Sequence, residues 1–172
     1  MADVNKLLPF LKKWEGGFVN DPNDLGGATN MGVTFATYAI YCKKTGKPEP
    51  TVADLKKLKQ SELKDILKTM YWDVFKADAI DNQNVANICV DWLWMSGKTA
   101  IKRVQRLVGV KDDGIVGPKT LAAINSRSPL PLFGLIKNDR KEYYEEICEV
   151  RAANKKFLKG WMNRLNDMNY IY

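Results

Sequence analysis

The residues of this chain that are best suited to chemistry are acidic side chains on a glycine-rich segment near the N-terminus. Glu15 precedes two glycines, and Asp21, Asp24 and Thr29 follow on the same segment. Two carboxylates on either side of a glycosidic bond are the usual equipment of a glycoside hydrolase, and a threonine hydroxyl can hold a water molecule or orient a carboxylate. The alternative is that Glu15 ends a solvated helix and that the aspartates form turns.

The first predicted helix places Glu15 at its C-terminal end. Apolar residues recur at helical spacing up to Trp14, and Gly16 and Gly17 end the helix. The negative end of the helix dipole and the apolar neighbour Trp14 both favour a protonated carboxyl group. A general acid that works at neutral pH needs this environment.

The composition excludes several kinds of active site. The 172 residues contain no histidine, so a Ser–His–Asp triad, a Cys–His pair and an imidazole metal site are impossible. The cysteines Cys42, Cys89 and Cys148 are far apart in the sequence and lie among apolar residues, which predicts buried thiols. We expect no metal and no cofactor.

The net charge of +7 lies entirely in the C-terminal part of the chain. Residues 1–95 carry 12 basic and 12 acidic side chains, whereas residues 96–172 carry 15 basic and 8 acidic ones. The excess favours an anionic partner such as a cell-wall polymer, although a solvated, lysine-rich helix surface has the same composition. No DNA-binding motif and no dense basic stripe occur, so we expect no nucleic-acid partner.

The N-terminal apolar run does not have the pattern of a signal peptide. It is short and interrupted by Pro9, and no small-residue cleavage site follows it. No stretch reaches the roughly 18 apolar residues of a membrane helix. We therefore expect synthesis in the cytoplasm, no stable membrane insertion and, for any action outside, a separate export route.

Helical periodicity dominates the remainder of the chain. The predicted class is all-α, or α+β if a small hairpin forms near residues 18–33. Thr34 and Ser61 are predicted N-caps, and Thr99 is predicted to start another helix. Pro118 suits the first turn of a helix, where its missing N–H costs nothing.

Several motifs occur in a family-specific order. The stretch WEGGFVNDPNDLGGATNMGVT resembles the N-terminal signature of glycoside hydrolase family 108, which runs E-G-G, N-D-P, G-G-x-T and G-[IV]-T. Residues 90–125 resemble the helix–helix–turn segment of that family, and DGIVGPKT within them resembles a motif of peptidoglycan-binding modules. GWMNR, at residues 160–164, resembles a motif near the family's C-terminus. These matches span nearly the whole chain.

The resemblance implies a lysozyme-like helical fold and an N-acetylmuramidase activity. That family includes phage endolysins and secretion-associated muramidases, which hydrolyse the β-1,4 bond between N-acetylmuramic acid and N-acetylglucosamine. Glu15 matches the family's catalytic glutamate and general acid. Asp24 stands nine positions later, and we prefer it as the second carboxylate over Asp21, which precedes a proline and suits a turn.

Further polar and aromatic positions supply the predicted substrate contacts. Asp91 lies in an apolar helix and is either a hydrogen-bonded anchor, the role we prefer, or part of the floor of the substrate site. Trp92 and Trp94 are two residues apart on that helix, so one of them is expected to face outward or toward substrate. Many relatives have an asparagine where this chain has Met95. The predicted substrate-binding residues are Gly26, Gly27, Asp91, Trp94, Trp161 and Arg164.

Two regions are predicted, packed into one compact unit. Residues 1–95 form a lysozyme-like catalytic region and residues 96–172 a helical peptidoglycan-binding-like region. The expected partner is the peptidoglycan glycan strand, the expected state is a monomer, and the expected place of action is the periplasm or cell wall. The alternative function is a non-catalytic peptidoglycan-binding or secretion-assisting protein.

Overall fold

The computed structural model describes residues 1–20 and 27–171, and the chain divides into two compact units. The N-terminal unit is Val4–Asp73, and the C-terminal unit combines residues 1–3 with residues 74–171. Helices dominate both units, and a two-stranded antiparallel hairpin lies in the first. The predicted all-α class with a small hairpin, and its lysozyme-like fold, are confirmed.

The N-terminal unit is a set of short helices around a small hairpin. The hairpin pairs Thr29 with Thr34 and Asn30 with Val33. The buried Asn30 donates its amide to the carbonyl of Leu55, 2.9 Å away, and thereby fixes the hairpin to a helix. Its elements are α1 (Leu8–Trp14), β1 (Thr29–Asn30), β2 (Val33–Thr34), α2 (Phe35–Lys44), α3 (Val52–Lys56), α4 (Gln60–Leu67) and a π-helical turn at Lys68–Trp72.

Local capping determines where these helices begin. The Thr34 hydroxyl accepts the Thr37 N–H at 3.2 Å, which confirms the predicted N-cap of α2. The prediction that Ser61 caps α4 is wrong. The helix begins at Gln60, because the Glu62 carboxylate accepts the N–H of Lys59 at 3.3 Å and closes the first turn earlier.

The C-terminal unit is built around one buried helix. Within it, α5 packs against both α6 and α8, while α9 packs against α8. Residues 1–3 join this unit, since the Ala2 N–H donates to the Ile80 carbonyl at 3.0 Å. The helices are α5 (Gln83–Ser96), α6 (Lys98–Val108), α7 (Pro118–Asn125), α8 (Pro129–Val150) and α9 (Lys155–Asp167).

Glycine and proline define several helix ends in this unit. Gly109 ends α6 in the left-handed region at φ 78°, and Pro118 is the first residue of α7, as predicted. The predicted start of α6 at Thr99 is wrong by one residue. Gly97 has a positive φ of 60°, which ends α5, and it is directly followed by the first residue of α6, Lys98.

The described residues also bear on the state of the cysteines and on the predicted absence of a membrane helix. The three cysteines are buried and free, which agrees with the predicted buried thiols. Among residues 1–20 and 27–171, no helix combines the length and the apolar character that crossing a membrane requires.

Candidate active site

Glu15 lies where α1 ends and the chain turns extended. Its backbone has φ −88° and ψ 132°, and its N–H donates to the Leu11 carbonyl at 3.0 Å. The side chain is half-buried. The carboxyl group is therefore attached at the negative end of a helix dipole, which favours its protonated form.

The turn of the hairpin forms a seat for the Glu15 carboxyl group. Met31 and Gly32 link β1 to β2 with φ values of 48° and 74°. A Cβ atom on Gly32 would overlap Oε2 of Glu15 and lie 3.0 Å from Oε1. The carboxyl group therefore lies against bare backbone, and a side chain at this position would displace it and would also be strained at a φ of 74°. Sequence reasoning did not select Gly32, although its place in a tight turn was the available signal.

Tyr71 is a second neighbour of Glu15 that sequence reasoning missed. Burial raises the pKa of Tyr71, and the negative charge of Glu15 raises it further, while a hydrogen bond with the Thr37 side chain acts in the opposite direction. Thr37 also receives a hydrogen bond from the Thr34 hydroxyl at 3.1 Å. The Tyr71 hydroxyl is thus neutral at ordinary pH and hydrogen-bonded to Thr37, within electrostatic reach of the candidate acid.

Thr29 occupies the first strand of the hairpin. Its N–H and carbonyl both pair with Val19 at 2.8 Å, so its backbone is fixed from two sides. Its hydroxyl donates to the Gly27 carbonyl at 3.4 Å, and Gly27 has a positive φ of 64°. The structure thus brings Thr29, Gly32 and the end of α1 into one unit.

The second carboxylate falls on a part of the chain that lies outside the described residues. Asp21, Asp24 and Gly26 belong to residues 21–26, so the choice between Asp24 and Asp21 stays a prediction.

Asp91 is buried in an ionic cluster with two arginines. Arg140 Nη2 donates to one carboxylate oxygen at 2.7 Å, and Arg164 Nη2 donates to the other at 2.6 Å. Burial acts to raise the pKa of Asp91, but the two positive charges outweigh it and hold the pKa below its usual range. Asp91 and Arg164 therefore satisfy each other inside the C-terminal unit, which favours the anchor role over a substrate contact.

The tryptophans of α5 are more buried than expected. Trp92 is 0% exposed and Trp94 is 9% exposed. The prediction that one of them faces outward is wrong, because α5 is covered by both α6 and α8 rather than on one side only. A substrate contact for Trp94 stays a prediction, whereas Trp161 on α9 is half-buried and reaches the surface.

The described part of the site holds a group suited to proton transfer. No cluster of three or more His, Cys, Asp or Glu side chains that would hold a metal ion occurs in residues 1–20 and 27–171. What the N-terminal unit offers is one seated carboxyl group beside a neutral phenol. A glutamic acid held in this manner can donate a proton to a leaving oxygen.

Comparison with known proteins gives two family matches. The family model described as glycosyl hydrolase 108 matches residues 8–97. The family model described as a predicted peptidoglycan domain matches residues 99–166. The first match includes Glu15, Thr29 and Gly32, and the second extends into α9.

Comparison with solved structures gives a similar chain of nearly the same extent. The structure of Brucella abortus SagA has 31% sequence identity and a TM-score of 0.82, covering 96% of this chain and 90% of that chain. No curated protein shows significant sequence similarity to the chain.

Proposed function

Because the chain belongs to glycosyl hydrolase family 108 and is a peptidoglycan hydrolase, we propose that it is a lysozyme-like N-acetylmuramidase with Glu15 as its general acid. The bond cleaved is the β-1,4 linkage between N-acetylmuramic acid and N-acetylglucosamine. The observation that carries this proposal is the seat of Glu15 at the end of α1, against the bare backbone of Gly32.

The seat supports the acid role through position and charge. The carboxyl oxygens lie close to the backbone of Gly32, which supports a defined position for the proton donor. The negative end of α1 favours the protonated form. Burial raises the pKa of Tyr71, so this phenol stays neutral and adds no second negative charge to the site.

The reaction follows from this assignment. Glu15 gives its proton to the glycosidic oxygen as the C–O bond to C1 of N-acetylmuramic acid breaks. The second carboxylate, Asp24 or Asp21, either stabilises the oxocarbenium-like centre or removes a proton from the attacking water. The net change is the addition of one water molecule across the bond, and carboxylate separations of about 5 Å or about 6.5–9.5 Å correspond to retention or inversion.

Digestion of purified peptidoglycan tests the proposal. Wild type should release fragments whose new reducing end is N-acetylmuramic acid, identified by borohydride reduction and mass spectrometry. Glu15→Gln should lose about 10²- to 10⁴-fold in rate, because the N–H protons of the amide are too weakly acidic to be donated to the leaving oxygen. Glu49→Gln is the matched control, since Glu49 is exposed and lies in the connector after α2.

The possible outcomes separate the alternatives. N-acetylglucosamine at the new reducing end would replace the muramidase by a glucosaminidase. A folded Glu15→Gln protein that digests walls as fast as wild type would end the acid assignment. Binding to walls without any release of reducing ends by wild type would favour the non-catalytic, secretion-assisting alternative.

The place of action follows from the substrate. Peptidoglycan lies outside the cytoplasmic membrane, so the proposed enzyme works in the periplasm or at the cell wall, in phage lysis or in secretion. Detection of the protein in periplasmic and wall fractions of producing cells, against a cytoplasmic marker, tests this placement.

A further inference from the structure

We propose that α9 carries a surface that binds the glycan strands of peptidoglycan. We call it the α9 aromatic face and define it as Phe157, Gly160 and Trp161, with Lys156 beside Phe157. The inference rests on the proposed function, because it takes peptidoglycan as the substrate. It concerns a different part of the chain from Glu15, and it assigns binding rather than bond cleavage.

Phe157 stacks against Trp161 and presents an exposed apolar ring on the surface of α9. Phe157 and Trp161 are four residues apart, so they lie on one side of the helix. Their ring centroids are 5.9 Å apart with an interplanar angle of 27°. Phe157 is 46% exposed although it is a large apolar residue. Flat, exposed aromatic surfaces suit the C–H faces of pyranose rings, because both are broad and weakly polar.

The ring of Trp161 also packs against a buried tyrosine. Tyr144 lies 5.3 Å from it, at 34° between planes. The Tyr144 hydroxyl accepts a hydrogen bond from Arg140 Nε at 2.8 Å, and Arg140 binds Asp91 in the buried cluster. Arg164, on the next turn of α9, binds the same carboxylate. The aromatic face is therefore preorganised, which lowers the entropic cost of binding a flexible glycan.

Gly160 is the least expected residue of this surface. It lies in the interior of α9, where glycine destabilises a helix relative to alanine. It is exposed, and a Cβ atom added to it would meet nothing within 4 Å, so no packing contact requires glycine there. What glycine does provide is exposed bare backbone three residues after Phe157, where a sugar or its N-acetyl group can approach closely.

The positive charge beside the aromatic face and the family match both indicate peptidoglycan as its ligand. Lys156 is exposed, and its Nζ lies 4.8 Å from the Phe157 ring centroid. The stem peptides of peptidoglycan carry carboxylates that this ammonium group attracts. The predicted peptidoglycan domain covers residues 99–166 and so includes the whole face. A glycan strand with its stem peptides suits both the rings and the lysine.

Co-sedimentation with purified sacculi tests the surface, with the Glu15→Gln protein as background so that the walls stay intact. Phe157→Ala and Gly160→Gln should each weaken binding by about three- to tenfold, in the range of one lost aromatic contact. Gly160→Gln should at the same time raise the melting temperature, because glutamine is the better helix former. A purely structural role for Gly160 would not move stability and binding in opposite directions.

Two matched substitutions control for exposure and for helix propensity. Leu135→Ala removes an apolar residue on α8 that is 48% exposed. Gly134→Gln replaces an interior glycine of α8 whose added Cβ also meets nothing within 4 Å. Both should leave the binding of sacculi unchanged.

A second readout separates this inference from the proposed function. Phe157→Ala and Gly160→Gln, in the otherwise wild-type protein, should hydrolyse short soluble peptidoglycan fragments at the wild-type rate. No hydrolysis by wild type would overturn the proposed function alone. Sacculus binding by Phe157→Ala and Gly160→Gln equal to that of the controls would overturn the aromatic face. Phe157-dependent binding to anionic phospholipid vesicles that exceeds binding to sacculi would replace the glycan by a lipid surface.

Discussion

At the scale of single residues, the position of the candidate acid depends on a side chain that is absent. Gly32 lies against Glu15, and a Cβ atom there would overlap Oε2. Gly32→Ala should therefore displace the carboxyl group and lower the rate of peptidoglycan digestion by about 10- to 100-fold. The backbone at φ 74° also disfavours alanine by about 1–2 kcal/mol, so stability must be measured beside the rate.

Gly46 gives a matched control for that backbone strain. It has nearly the same φ, 70°, in the same unit, but an added Cβ meets nothing within 4 Å. Gly46→Ala should lose a similar free energy of unfolding and keep the wild-type rate. Equal rates for the two variants, compared by urea unfolding and reducing-end release, would show that Gly32 does not position the acid.

The sequence supplied the reactive groups of this site but not their supports. Glu15 and Thr29 stand out because their types and spacing fit a known chemistry. Gly32 stood only as the glycine of the family's G-[IV]-T motif, with no role assigned to it, and Tyr71 is 56 positions from Glu15. That Gly32 lies against the carboxyl group and that Tyr71 is within its electrostatic reach depend on tertiary packing of the hairpin and helices, which no local pattern contains.

At the scale of elements, three helices are joined by one buried carboxylate. Asp91 on α5 binds Arg140 on α8 and Arg164 on α9. Asp91→Asn should cost about 3–5 kcal/mol of unfolding free energy at neutral pH, because two buried guanidinium groups lose their counter-charge. Urea unfolding measures the loss. Asp112→Asn, which breaks only the exposed pair with Arg106, should change stability little.

The same cluster predicts how stability depends on pH. The pKa of Asp91 is lowered in the folded protein from its ordinary value of 3.8. Its contribution to stability is therefore complete above pH 3.8 and is lost as the pH falls through the folded-state pKa. The difference in unfolding free energy between wild type and Asp91→Asn should shrink in acid. A constant difference from pH 7 to the acid transition would contradict the ionic role.

The ends of the helices were the most predictable part of the fold, because capping is local. Thr34 and Pro118 do what their side chains dictate. The N-cap predicted at Ser61 was wrong because Glu62 forms a capping box with Lys59, so the helix begins before Ser61. The outward orientation predicted for Trp92 or Trp94 was wrong because periodicity shows which residues share a face of a helix. It does not show how many of those faces are covered by other helices.

At the scale of the whole molecule, sequence families and compact units divide the chain differently. The two family models meet between residues 97 and 99, whereas the compact units meet between residues 73 and 74. Helix α5 therefore belongs to the glycosidase family match and packs with the helices of the peptidoglycan domain. The boundary predicted between residues 95 and 96 stays a prediction.

The uneven charge predicts that wall binding depends on salt and that the dependence comes from the C-terminal part. Residues 96–172 carry the whole excess charge of +7. The Debye screening length falls from about 10 Å at 0.1 M salt to about 3 Å at 1 M salt. Binding of the Glu15→Gln protein to sacculi, measured by co-sedimentation, should therefore weaken steadily over that range.

Two pairs of substitutions locate the charge that matters. Lys156→Gln with Lys159→Gln should make binding to sacculi less dependent on salt concentration. Lys57→Gln with Lys64→Gln removes the same charge from exposed positions of the N-terminal unit and should leave the salt dependence unchanged. An equal reduction of the salt dependence by both pairs would mean that net charge, rather than its location, governs binding.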